Sequence, residues 1–340
     1  MMTRGAKATL LVTAAMAASL AQARPDRAPP PPFDVPVDGR VTATIDGRPV
    51  TLFSSPGMPS QPYLSAALAG QLFGPEAAAP RRKGFSIISI ALPTDAKVGP
   101  VRIAGQAEPA ELAVGAVRAK VRTQWFVRDA YDFGEALAGP YGLPHPVLRY
   151  TLAPPASGEV AASVPLAGRR QWWIASTTLE FGGKNVLFAF APHFPTTVMS
   201  AAAGRVISAA LGGRMTGEAG RQLISHGVER PVRPVAFDRP LKIGSVEVTR
   251  ALVRTADYGS AGSIPDDTEI DPSESGGEDI IVTGKRKASA PVYLVYVGAD
   301  ALRGCSSLTY DKPRKTISMS CLPTSAVQAS NLPKTTRPAA

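Results

Sequence analysis

The sequence predicts an all-β protein with a few short helices, arranged as two similar lobes, and three observations predict it. Short runs such as Val50, Leu52 and Phe53, with the polar Arg48 before them and Thr51 among them, end at Pro56-Gly57 before any helical period develops. Four stretches of the first half recur in the same order in the second. Near the C-terminus, Leu308 and Tyr310 on one side of Pro313 and Ile317 and Met319 on the other alternate with polar residues, as in a hairpin. With 340 residues, 44% of them hydrophobic, the chain can bury two lobes, and only 6% aromatic content leaves Ala, Val, Leu and Ile to build the core.

The N-terminus reads as an export signal, residues 1–23. Arg4 and Lys7 precede an apolar run from Ala8 to Leu20, and Ala21-Gln22-Ala23 offers an A-x-A cleavage site. The run is shorter than the roughly 20 residues a membrane span needs, and no later stretch is long and apolar enough, so no span is expected after cleavage. Residues 24–35 are expected to be a Pro-rich flexible leader. The mature chain is expected to be periplasmic or secreted. Net charge is +10; without Arg4 and Lys7 it is 35 basic minus 27 acidic residues, or +8. Arg81-Arg82-Lys83 and Lys285-Arg286-Lys287 are the only basic clusters and read as solvated faces, and export argues against nucleic acid as a partner.

The repeats follow in chain order. The stretch 47–60, GRPVTLFSSPGMPS, aligns without a gap on 183–196, GKNVLFAFAPHFPT, sharing Gly47/Gly183, Val50/Val186, Pro56/Pro192 and Pro59/Pro195. A short Ala-rich helical segment follows each. Residues 110–122 resemble 239–254, with Leu112/Leu241 and Gly115/Gly244, and 139–152 have a counterpart in 295–310. The first lobe is assigned to 36–153 and the second to 159–323, with a boundary in APPASG and a flexible tail over 324–340. Cys305 and Cys321 lie equidistant from Pro313, which sets the sulfurs opposite each other across a hairpin turning at Asp311 to Lys315. In an oxidising compartment that arrangement predicts a disulfide, and no further ligands lie nearby for a metal.

These residues carry a resemblance. Each half resembles a subunit of the retropepsin-like aspartic protease family: a G-x-x-V-x-L strand, an active loop, a short helix, a V-G strand, and a final hydrophobic-hydrophobic-Gly signature, matched by Gly298 in YVGADAL and more weakly by Gly142 in PYGLPHP. The resemblance implies a bilobal pepsin-like arrangement of two β-barrel lobes over a cleft. In the family the active loop reads D-T-G or D-S-G eight residues after the strand glycine. Here those positions hold Ser55, Pro56, Gly57 and Ala191, Pro192, His193, and no D-T-G or D-S-G occurs anywhere in the chain. The family mechanism needs two carboxylates sharing one proton, so the resemblance implies a lost activity. Asp46 reads as part of a tight turn and Asp300 as a local helix cap.

Other chemistry is sparse. His145, His193 and His226 are the only histidines, and Ser55 and His193, on equivalent loops, form the one nucleophile and base pair the sequence permits. There is no G-x-S-x-G elbow, no histidine pair at metal-ligand spacing and no cofactor motif; GGRMTGEAG at 212–220 lacks the Lys-Ser/Thr of a phosphate loop. The second half carries extra chain, with 107 residues from Ala191 to Gly298 against 87 from Ser55 to Gly142, and an acidic insertion over 260–290 is expected to be disordered. Residues 278–287, EDIIVTGKRK, resemble the TonB-box peptide, so Asp279, Ile280, Ile281, Val282, Thr283 and Gly284 could add a strand to a TonB-like partner; the same run also reads as an ordinary strand of the second lobe. Trp172-Trp173 offers one ring to the core and another to a surface or cleft. The expected function is that of a catalytically inactive aspartic-protease-like protein binding a peptide or envelope protein. The alternative is a periplasmic peptidase, aspartic-type or based on Ser55.

Overall fold

Alternating burial sets the first hairpin. In the computed structural model, β2 (Arg40–Ile45) buries Val41, Ala43 and Ile45, and β3 (Arg48–Ser54) buries Val50, Leu52 and Ser54. The loop between them is Asp46-Gly47, whose positive φ angles of 46° and 79° are those of a tight hairpin turn that few residues besides Asn, Asp and Gly accept. The structure describes residues 31–75, 77, 92–167, 174–255, 261–265 and 291–323. The basic clusters at 81–83 and 285–287, Trp172-Trp173, the segment 278–287, residues 1–30, the tail 324–340 and all of the acidic insertion except 261–265 lie outside the described residues.

After β3 come β4 (Tyr63–Leu64), α1 (Ala66–Phe73), β5 (Leu92–Val98), β6 (Val101–Val114), β7 (Val117–Phe126), β8 (Ala136–Ala138) and β9 (Val147–Thr151); β1 (Phe33–Val35) precedes them all. The second half supplies β10 (Val160–Pro165), β11 (Thr177–Phe181), β12 (Lys184–Phe190), β13 (Val198–Met199), α2 (Ala201–Leu211), β14 (Gly213–Met215), β15 (Gly220–Ser225), β16 (Val228–Ile243), β17 (Val246–Arg254), β18 (Leu294–Val297), α3 (Ala299–Leu302), β19 (Cys305–Asp311) and β20 (Thr316–Cys321). The protein is thus mostly β.

Pairing order repeats between the halves. The first sheet runs β2-β3-β8-β4-β7-β6, closed into a six-stranded barrel by β2 against β6, with β5 beyond β6. The second runs β11-β12-β18-β13-β17-β16-β14, with β15 on β16. In both, the strand before the loop lies parallel to the strand before a glycine, β3 with β8 and β12 with β18. Each helix begins with a serine cap: Ser65 Oγ accepts from Leu68 N and Ser200 Oγ from Ala203 N. Small residues let α2 lie close to the sheet; a Cβ on Gly204 would come within 2.5 Å of Val253.

A third sheet, β1-β9-β19-β20-β10, draws strands from both halves, and β9 pairs antiparallel with β19. The leader boundary needs correction here. Phe33–Val35 is a strand parallel to β9, and Asp34 forms an ion pair with Arg149. The prolines flanking it are tolerated because β1 is an edge strand that needs only one hydrogen-bonded side. The β19–β20 hairpin places Cys305 opposite Cys321, and the two form a disulfide.

Candidate functional site

Two equivalent turns meet, one from each half. At the end of β3, Ser55, Pro56 and Gly57 curl back so that Met58 N donates to Ser55 O at 3.0 Å. At the end of β12, Ala191, Pro192 and His193 do the same, with Phe194 N donating to Ala191 O at 2.9 Å. The structure brings the two triplets together. A Cβ on Gly57 would lie 2.6 Å from Ala191 Cβ and 2.9 Å from His193 Cε1, so only glycine fits this crossing. Across it, Ser55 Oγ and His193 Nδ1 are 3.0 Å apart.

Neighbouring glycines brace both loops. Gly139 N donates to Pro59 O at 2.7 Å, and a Cβ at Gly139 would sit 2.1 Å from Met58 O. At Gly298 a Cβ would sit 2.4 Å from the Thr196 carbonyl carbon, and Ala299 N donates to Phe194 O. Gly139, following β8, is therefore the counterpart of Gly298, and the expectation for Gly142 is corrected by three residues. The weak sequence match arose because β8, Ala-Leu-Ala, lacks the large apolar pair that marks β18. Ser54 Oγ donates its one proton to Ala138 O, so Tyr150 OH, 3.0 Å away, donates to Ser54.

Electrostatics at the loop crossing favour neutral groups. Ser55 is 3% exposed, and burial lowers the His193 pKa to about 3, so the imidazole is uncharged at neutral pH. Ser55 can then donate to Nδ1. His193 Nε2 is sealed from solvent without a hydrogen-bond partner, and no carboxylate among the described residues bonds to Ser55 or His193. Asp46 is spent on the β2–β3 turn, where its Oδ1 accepts from Glu111 N at 2.7 Å. Asp300 lies in the first turn of α3, whose N-cap is Gly298, not at the cap itself; its Oδ1 accepts from Ala301 N, Thr197 N and Thr197 Oγ1, each at 2.9 Å, tying the helix to the turn before β13. No group of three or more His, Cys, Asp or Glu among the described residues could hold a metal ion.

The loop 127–135, between β7 and β8, was not singled out from sequence, yet it covers the crossing. Tyr131, Phe133 and Phe194 surround the His193 ring at centroid distances of 5.5, 6.1 and 4.7 Å. Phe133 also stacks on Phe53 at 4.4 Å. The loop is anchored along its length: Asp129 Oδ1 accepts from Ala66 N, Ala130 O from His226 N and Glu135 O from Ser65 N. The only trace in the sequence is a pair of aromatic residues in a polar connection.

Beside this loop lies a cavity of about 600 Å³ lined by Gly57, Ser60, Tyr63, Tyr131, His226 and Tyr296, among others. Two hairpin ends meet over it. Val98 and Ile103 of β5–β6 share an apolar cluster with Ile224 and Val228 of β15–β16. His226 occupies the β15–β16 turn at φ 55°, is 3% exposed, and packs edge-on to Phe126 at 4.9 Å. Burial lowers its pKa to about 4. Ser55 and His193 instead line a second cavity of about 340 Å³, together with Tyr150 and Arg303. No helix among the described residues is long and apolar enough to cross a membrane. A scan against protein-family models finds no match to the chain, and neither does a search of curated proteins.

Proposed function

We propose that the chain is an exported, catalytically silent relative of pepsin-like aspartic proteases, whose two halves enclose a cleft that holds a peptide or protein partner in the cell envelope. The observation that carries this reading is the hydrogen bond between Ser55 Oγ and His193 Nδ1, made between two loops of equal construction where paired carboxylates would be required for proteolysis. A serine hydroxyl and a neutral imidazole cannot share a proton as two carboxyl groups do. The repeated pairing order of the two sheets supports a bilobal arrangement, and the sheet built from β9 and β19 supports its joining of two lobes. The Tyr131–Phe133 loop fills the space above the crossing, further discouraging attack by water there.

A second reading rests on the same 3.0 Å contact. Ser55 as nucleophile and His193 as base would form an acyl-transfer pair opening on the smaller cavity that both residues line. It lacks a third group to orient His193, whose Nε2 has no partner. Incubating residues 24–340 with a mixed peptide and ester library from pH 3 to 8, beside a Ser55→Ala variant, separates the two. No turnover in either sample is expected; turnover lost in the variant would establish the hydrolase.

A further inference from the structure

Resting on the reading of the cleft as a partner site, we propose that the larger cavity captures the free C-terminal end of a peptide and not an internal stretch running through it. The first support is shape. Val98 and Ile103 meet Ile224 and Val228 in one apolar cluster, so the two hairpin ends are joined above the cavity. A volume of about 600 Å³ lies within the roughly 300–1,000 Å³ of sites for small ligands. A chain passing through would have to part that cluster; a chain that stops inside the cavity would not.

The second support is unmet hydrogen bonding. Ser60 and His226, 6% and 3% exposed, both line the cavity, and Ser60 Oγ and His226 Nε2 have no partner. Buried polar groups left unpaired cost free energy, which a ligand amide would offset. Neither atom is open to solvent as it stands, so pairing with a ligand requires the Ser60 hydroxyl to turn to another staggered rotamer. Tyr63, Tyr131 and Tyr296 supply apolar wall for the terminal side chains.

The third support is charge. Asp95 and Lys97, on β5, both line the cavity, but Asp95 is engaged by Arg102, with contacts of 2.9 and 3.4 Å. Lys97 has no hydrogen-bond or ion-pair partner among the described residues. Burial keeps His226 uncharged at neutral pH. The lining therefore carries one lysine without a partner, beside an aspartate already paired with Arg102, a balance that favours a terminal carboxylate over a terminal amine.

The test uses the full mature protein, immobilised, and one pool of random-sequence N-acetylated tetrapeptides prepared both as C-terminal acids and as C-terminal amides. Acids are expected to be retained at least tenfold more strongly than the corresponding amides. Lys97→Gln, at an exposed position, is expected to bring the acids down to the amide level, whereas Lys120→Gln, an equally exposed change on β7, leaves them unchanged. Ser60→Ala is expected to weaken acids and amides alike. Equal retention of acids and amides would overturn the terminal-carboxylate assignment while leaving the cleft as a peptide site. Retention of neither pool would overturn both.

Discussion

At the residue scale, the loop crossing is governed by contact distance and by burial of imidazole. Gly57→Ala would drive a methyl group to 2.6 Å from Ala191 Cβ, and overpacking of this kind costs about 1–3 kcal/mol. Gly47→Ala meets nothing within 4 Å, so its cost is the left-handed backbone alone, about 1–2 kcal/mol. Urea titrations should show both variants with lower midpoints, and only Gly57→Ala should also disturb the near-ultraviolet signal of the surrounding aromatic rings. The histidines add a dependence on pH. Folding lowers the His193 pKa to about 3 and the His226 pKa to about 4, from near 6.5 in the unfolded chain. Between those values the unfolded state binds more protons, so stability is fully present above pH 6.5 and is lost as pH falls toward the folded values. His145 is lowered as well, by burial and by Lys312. Between pH 6.5 and 5 the fall in the urea midpoint reports the histidines, less an opposing gain from Glu108, whose carboxyl pKa burial raises. Each strongly lowered histidine contributes up to about 1.4 kcal/mol per pH unit, and His193→Gln should flatten the profile; an unchanged slope would mean that His193 is not held neutral by the fold.

Elements explain which parts of the site were legible. The β2–β3 and β11–β12 hairpins and the loops after them were readable because Gly47/Gly183 and Pro56/Pro192 are local requirements of turns and survive in sequence. The juxtaposition of Ser55 and His193 was readable too, as residues on equivalent loops of two repeats. The 127–135 loop was not: it has no period, its aromatic residues pack on residues far away in sequence, and two of its three anchors are backbone carbonyls that any residue supplies. The leader boundary failed for a related reason, since β1 is held by pairing with β9, which proline content does not reveal. If the loop is what shields His193, the double variant Tyr131→Ala, Phe133→Ala should make its imidazole react faster with diethylpyrocarbonate, followed by mass spectrometry; an unchanged rate would assign the shielding to Phe194. The β19–β20 hairpin offers a test of covalent support. Its disulfide closes a loop with a sequence separation of 16, and closure of a loop near that size restricts the unfolded chain by about 3 kcal/mol. Cys305→Ser with Cys321→Ser should lose roughly that much stability, and adding reductant should then change nothing further.

For the whole molecule, the decisive feature is the sheet β1-β9-β19-β20-β10, because it takes strands from both halves. Leu148 and Tyr150 of β9 are 0% and 3% exposed, and their register partners across the junction are Tyr310 and Leu308, both fully buried. Separating the halves would expose these side chains and leave β9 and β19 as unpaired edges, the condition that favours aggregation over folding. The main core cluster likewise includes residues from both halves, among them Tyr150, Phe190 and Tyr310. Cutting the chain in the connection between β9 and β10 tests how far the halves depend on each other. Fragments 24–155 and 156–340, produced separately, are expected to show no cooperative thermal transition, while the same fragments produced together should copurify and unfold in one transition. The closed first barrel is the more demanding case, since all six of its strands lie within one fragment. If 24–155 alone unfolds cooperatively, the first half is a self-sufficient domain and the shared sheet only docks the second half onto it. If it does so only with its partner, the loop crossing of Ser55 and His193 is a product of joint folding.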